Sequence, residues 1–201
     1  MRIKIFKLVA ALAFLFCNQG VYFCPAQEGS TKNIPFAELQ SEVLSTNGAV
    51  RFNIAEKLAQ YHNKETFIAL LKLLKDKNED ISYAAANSIE MRRDKKYDSD
   101  LIDAIKALPR DNRWPAYWAA ASYPTPNMFK FFRECINEEV RFQSRKKLVN
   151  CDNCFYLAKG LIQIAHNIGV EIKLTPPVGE DLKDYQQFAK GLETLKLIGQ
   201  P

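Results

Sequence analysis

VRFNIAEKL (Val50–Leu58) returns as VRFQSRKKL (Val140–Leu148), with five of nine positions identical. Both phrases begin and end on an apolar residue eight positions apart, which puts the two ends on one stripe of a helix. ISYAAANSI (Ile81–Ile89) is a weaker copy between them, and WPAYWAAAS (Trp114–Ser122) is a degenerate fourth. A recurrence of about 30 residues is the mark of stacked units, each unable to bury its apolar face alone. The expectation is an all-α fold: an α-solenoid of about four helical hairpins, preceded by an N-terminal helix and closed by a C-terminal capping helix. Val50, Leu58, Ile81, Ile89, Val140 and Leu148 mark its repeat.

The pattern extends outward from these phrases. Apolar residues recur at spacings of three and four, and β-branched alternation is nearly absent. Phe36, Leu39, Val43 and Leu44 outline a first helix, with Pro35 in a first turn that tolerates it. Asn47-Gly48 breaks the chain. Helices over about 49–61 and 65–75 form the first hairpin. The second runs from an N-cap at Asp80, through the charge-rich MRRDKKYDSD, to a helix capped by Ser99 or Asp100 and stopped by Pro109. The third pairs 114–123 with 128–136, and the fourth pairs 138–149 with 152–167. Gly169 is a fitting stop. After VEIKLTPPVGE, Leu182, Tyr185, Phe188, Leu192 and Leu195 outline the capping helix that a solenoid end requires.

LLKLLKDKNEDISYAAANSI (Leu70–Ile89) carries a more specific likeness. It holds a second helix, an Asp turn and the first helix of the next unit. It resembles the HEAT family, in its short HEAT-like (PBS-lyase-type) form. The likeness covers about 49–169 and is strongest in the first two units. In the third, Trp114-Pro115 replaces the Val-Arg start; in the fourth, Ser144-Arg145 stands where small apolar residues are usual. In this family an Arg after the first Val pairs with an Asp of a turn. The resemblance therefore gives that structural role to Arg51 and Arg141, with Asp76 a turn Asp of the kind they pair with. The family also includes chromophore lyases of light-harvesting antennae, but an export signal would put this chain in another compartment.

Such a signal is what the N-terminus resembles. Arg2, Lys4 and Lys7 precede LVAALAFLF (Leu8–Phe16), an apolar run too short to span a bilayer. Cleavage is expected after Ala26. The residues before Cys17 and Cys24 are large, unlike those of a lipid-attachment signal. The expected organisation is 1–26 signal peptide, 27–48 extension and capping helix, 49–169 repeat array, and 170–201 linker and cap. Residues 1–26 hold three basic and no acidic residues, so the remainder carries 25 basic against 23 acidic. That balance argues against nucleic-acid binding, and the mature chain has no transmembrane segment.

Few residues offer chemistry. The two histidines, His62 and His166, fall in a turn and near a helix end. No GxSxG, HExxH, P-loop or GxGxxG occurs. CDNC (Cys151–Cys154) before a helix could be a disulfide, a redox pair with a lowered thiol pKa, or half of a metal site. The metal reading lacks a second ligand pair, since His166 lies about 18 Å further along the helix. No metal or cofactor is therefore expected. Cys135 is the odd thiol. Trp114, Tyr117, Trp118, Tyr123, Phe129, Phe131 and Phe132 crowd into 19 residues. Core filling explains most of them. The functional alternative is an aromatic patch on the concave side, where a peptide or glycan docks around Trp118, Phe129 and Arg133. The function expected is an exported, non-enzymatic scaffold, periplasmic or secreted, for a protein or peptide partner. The alternative is a thiol–disulfide module built on Cys151 and Cys154.

Overall fold

Asparagines punctuate the first half of the chain. Asn47, Asn63 and Asn78 each turn an extended backbone into a helix, their side-chain oxygens accepting from the amides of Ala49, Thr66 and Asp80 at 2.9 Å. A cap of this kind satisfies a donor that the first helical turn leaves orphaned. The second hairpin is thus capped by Asn78, two residues before the expected Asp80. The computed structural model describes residues 36–147, 152–177, 179 and 181–194. The expected signal peptide, Leu148 and Cys151 lie outside them.

The described residues form nine α-helices and no strand. They are α1 (Phe36–Val43), α2 (Gly48–Leu58), α3 (Lys64–Leu73), α4 (Glu79–Arg92), α5 (Asp98–Lys106), α6 (Trp114–Ala120), α7 (Pro126–Arg145), α8 (Asp152–Asn167) and α9 (Leu182–Thr194). Consecutive helices alternate between two layers. In the first, α2, α4, α6 and α8 pack side by side; in the second, α1, α3, α5, α7 and α9 do. This is an α-solenoid: across the layers α1 packs on α2, α2 on α3, α3 on α4, α5 on α6 and α7 on α8, and α9 is laid against α7.

Side-chain volume sets the spacing within the first layer. Ala85 and Ala86 of α4, and Ala116, Ala119 and Ala120 of α6, are fully buried, so neighbouring helices approach over methyl groups. Larger residues fill the space between layers: Ile54, Leu58, Phe67, Leu70, Ile81, Ile89, Leu101 and Ile105 are all fully or almost fully buried. Each contributes about 1.5–3 kcal/mol relative to exposure. Helix α8 ends in a Schellman turn. Gly169 adopts φ +75°, and Val170 N–H donates to Ala165 O at 2.8 Å.

One boundary departs from the expectation. The segment 128–136 and the segment 138–149 as far as Arg145 are not separate helices but parts of α7, a single 20-residue helix. No Gly or Pro lies between 127 and 159, and Met128, Phe131, Phe132, Cys135, Ile136, Glu139 and Val140 keep one buried stripe throughout. The expected break follows the recurrence of VRF rather than any breaker. Consequently Val140 is buried on a second-layer helix, whereas Val50 is half-exposed at the start of first-layer α2. The two phrases do not occupy equivalent places. The correspondence that does hold is α2 with α4, where Leu58 and Ile89 are both fully buried.

Candidate functional site: the outer face of the first layer

Arginines join the hairpins. Arg51 donates from Nε to Asp76 Oδ2 at 2.6 Å and from Nη2 to Oδ1 at 3.2 Å. Its Nη1 reaches the carbonyls of Ser45 and Thr46 beyond α1. The hydrogen bond from Arg51 is the main reason the Asp76 carboxyl lies below its ordinary range. Arg141 does not repeat this role. It lies on α7, exposed, with Glu193 of α9 at 3.9 Å, because the merged helix places it far from any repeat turn. Arg113 closes the end of α5 instead, donating to Leu108 O at 3.0 Å and Lys106 O at 2.9 Å.

Arg92 is the most enclosed cation. Its side chain is fully buried, bonded to Asp94, Thr66 Oγ1 and Asn63 O at 2.7–3.0 Å, with the guanidinium 5.3 Å from the Phe67 ring centre. Burial pushes the Asp94 carboxyl up, but hydrogen bonds from His62 and Arg92 outweigh it and hold it low. The chain therefore uses its buried charge to tie the α2–α3 turn to the end of α4. A second enclosed pair joins Arg110 to Glu139 at 2.9 Å.

The aromatic cluster divides between the core and the surface. Tyr117, Tyr123, Phe131 and Phe132 are buried, and so is Phe129, at 5% exposure. Phe129 therefore cannot offer a docking surface: it packs inward from second-layer α7, and Arg133 shares that helix, while Trp118 belongs to first-layer α6. These three residues do not form one patch. Trp118 instead stacks on Tyr83, centroids 5.6 Å apart and planes within 2°. Tyr83 also meets Trp114 at 6.0 Å, Trp114 meets Tyr156 at 5.5 Å, and Tyr156 meets Phe155 edge-on at 5.4 Å. Five partly exposed rings thus run across α4, α6 and α8 on the outer side of the first layer. Tyr83 is the most open, at 38%. Lys159 Nζ stands 4.4 Å over Phe155, and burial lowers its pKa.

Sequence proximity could not assemble this row, since Tyr83 and Tyr156 are distant along the chain. One available signal is that Tyr83 falls off the buried stripe of Ile81, Ala84, Ala85, Ser88 and Ile89. The second layer has its own, weaker feature. Leu44, Ile68 and Lys72 line an open depression between α1 and α3, which continues past Ile68 to Asp100 and Asp103 of α5.

The two described cysteines are enclosed. Cys154 is fully buried in the first turn of α8 and disulfide-bonded. Cys135 is a free thiol, buried, and burial is the main cause pushing its pKa up to about 12. Among the described residues no group of three or more His, Cys, Asp or Glu side chains could hold a metal ion. No described helix is long and apolar enough to cross a membrane.

Alternating layers, hairpins joined through arginines at their turns, and exposed rather than enclosed apolar features define an α-solenoid repeat protein. Residues 37–122, which span α1 to α6, match the family model for HEAT repeats, and this supports a HEAT-like repeat family. Searches of curated proteins and of solved structures find no significant match. HEAT repeats commonly serve as protein-interaction scaffolds.

Proposed function

We propose that this chain is an exported, non-enzymatic scaffold that binds a protein or peptide partner in the periplasm or outside the cell. The observation that carries this reading is the row of five rings on the first layer. Contiguous exposed apolar surface marks interaction sites, and aromatic residues dominate binding hot spots. The basic start and short apolar run of residues 1–26 support export.

Two experiments test the proposal. Residues 1–26 fused to a reporter active only outside the cytoplasm should give activity, and an inactive but intact fusion would rule out export. For binding, a photo-crosslinking residue is placed at Tyr83, at Ile68, and at Lys173 as a control. One dominant adduct from Tyr83 or Ile68, and none from Lys173, is expected. Equal yields at all three positions would refute the scaffold reading.

A further inference from the structure

Three hydrogen-bond donors in the aromatic row lack an acceptor among the described residues. The indole N–H groups of Trp114 and Trp118 and the hydroxyl of Tyr83 make no hydrogen bond to any described residue. Beside them stands a carboxylate in the same condition. Glu90 lies seven residues after Tyr83, on the same outward stripe of α4, and no described residue hydrogen-bonds or ion-pairs with its side chain. Burial raises its pKa against the opposing pull of Arg93; burial first, and then the Glu90 charge, raise the pKa of Tyr83.

None of these groups is a buried, unsatisfied one, so a ligand that replaced their water would bring apolar bulk, acceptors and a cation. A polyproline II segment has no internal hydrogen bonds, so its carbonyls are available to donors along one side. It is already extended, so little entropy is lost on docking, and aromatic-lined surfaces recognise it. The ring geometry favours it over a glycan. Sugars stack on flat faces lying open side by side. Here three of the four successive ring pairs are tilted or edge-on, at 41°, 32° and 87°. Tilted rings of this kind offer edges and faces in turn rather than one flat platform, which suits a ribbon of pyrrolidine rings.

We propose that Trp118, Tyr83, Trp114, Tyr156 and Phe155 form a docking strip for a proline-rich segment in the polyproline II conformation, with a basic residue of that segment meeting Glu90. This rests on the scaffold reading and gives it a ligand class.

The chain's two tryptophans both lie in the strip, so intrinsic fluorescence reports on it alone. The probe is a peptide of one arginine followed by nine prolines, titrated into the full chain. A saturable change with a midpoint below about 1 mM is expected. Tyr83→Ala should weaken it about tenfold. Glu90→Gln should weaken this peptide about threefold or more, and leave a peptide with Gln in place of Arg unaffected. Circular dichroism confirms that each variant is folded. No saturation, equal affinity in Tyr83→Ala, or saturation by a glucose or N-acetylglucosamine hexasaccharide in place of the peptide would overturn the proposal. If the peptide fails while the crosslinker at Ile68 still captures one partner, the scaffold reading survives and this inference does not.

Discussion

Helices α2, α3 and α4 each begin at an asparagine cap, and their turns are closed by Arg51 with Asp76 and by Arg92 with Asp94. From Arg110 onward, beside the Thr125 cap of α7 and the Arg110–Glu139 pair, most of the order comes from bulk. Tyr117, Phe131 and Phe132 pack ring against ring, and α8 crosses them at Gly160, where an added Cβ would overlap Phe132 Cε1 and sit 3.1 Å from Ala121 Cβ. The first region is held in register by polar groups placed at helix ends. The second is held by volumes that must fit. The repeat is regular where the punctuation is local, and irregular where packing across layers takes over.

One substitution in each region probes this contrast at the largest scale. Arg92→Ala leaves Asp94, Thr66 and the Asn63 carbonyl without their shared donor, and should cost about 3–5 kcal/mol in urea unfolding. Arg92→Met, which fills the space without a charge, should cost less, since it removes the desolvated ion together with its bonds. Phe129→Ala removes a buried ring and should cost about 3–5 kcal/mol. A loss below about 1 kcal/mol would return Phe129 to the surface and undo its assignment to the core.

Glycine gives the next test. Overpacking at Gly160→Ala should cost about 1–3 kcal/mol, offset by about 1 kcal/mol of helix propensity, for a net loss of about 0–2 kcal/mol. Gly48→Ala is the matched control in the first region. Its Cβ would meet Ile81 Cδ1 at an ordinary 3.8 Å, so it should be neutral or stabilising by about 0.5 kcal/mol. Equal effects at the two sites would show that packing is no tighter in the second region than in the first.

This division explains what could be read in the sequence. The all-α solenoid was legible from spacing and from Leu70–Ile89, because helix ends and turns are written locally. Arg51 with Asp76 was an expectation of the HEAT resemblance and not of the local pattern. Arg92 was not, because within MRRDKKYDSD it reads as one of several solvated charges, and only the fold encloses it. The recurrence of VRF misled because identity at three positions carries no information about which layer a helix joins. The absence of Gly and Pro from 127 to 159 was the better guide. The aromatic row needed three helices side by side, so only Trp114 and Trp118 of its five rings could be grouped beforehand, along with core residues such as Phe129.

The smallest expected effects separate the two regions by pH. Asp76 and Asp94 sit below their ordinary value of 3.8. A carboxyl depressed by folding stabilises the fold above that value, and the contribution disappears as pH falls below about 4. In the second region burial raises Cys135 from 9.0 to about 12, and burial likewise raises Tyr117. A group raised by folding keeps its full contribution below its unfolded value and loses it as pH climbs, here from 9.0 towards about 12 for Cys135. Urea midpoints followed across pH should therefore fall at both extremes. Asp76→Asn should flatten the acid side alone, and Cys135→Ala the alkaline side alone. Should either variant change both sides equally, the two regions would share one electrostatic response, and the contrast between punctuation and packing would not extend to charge.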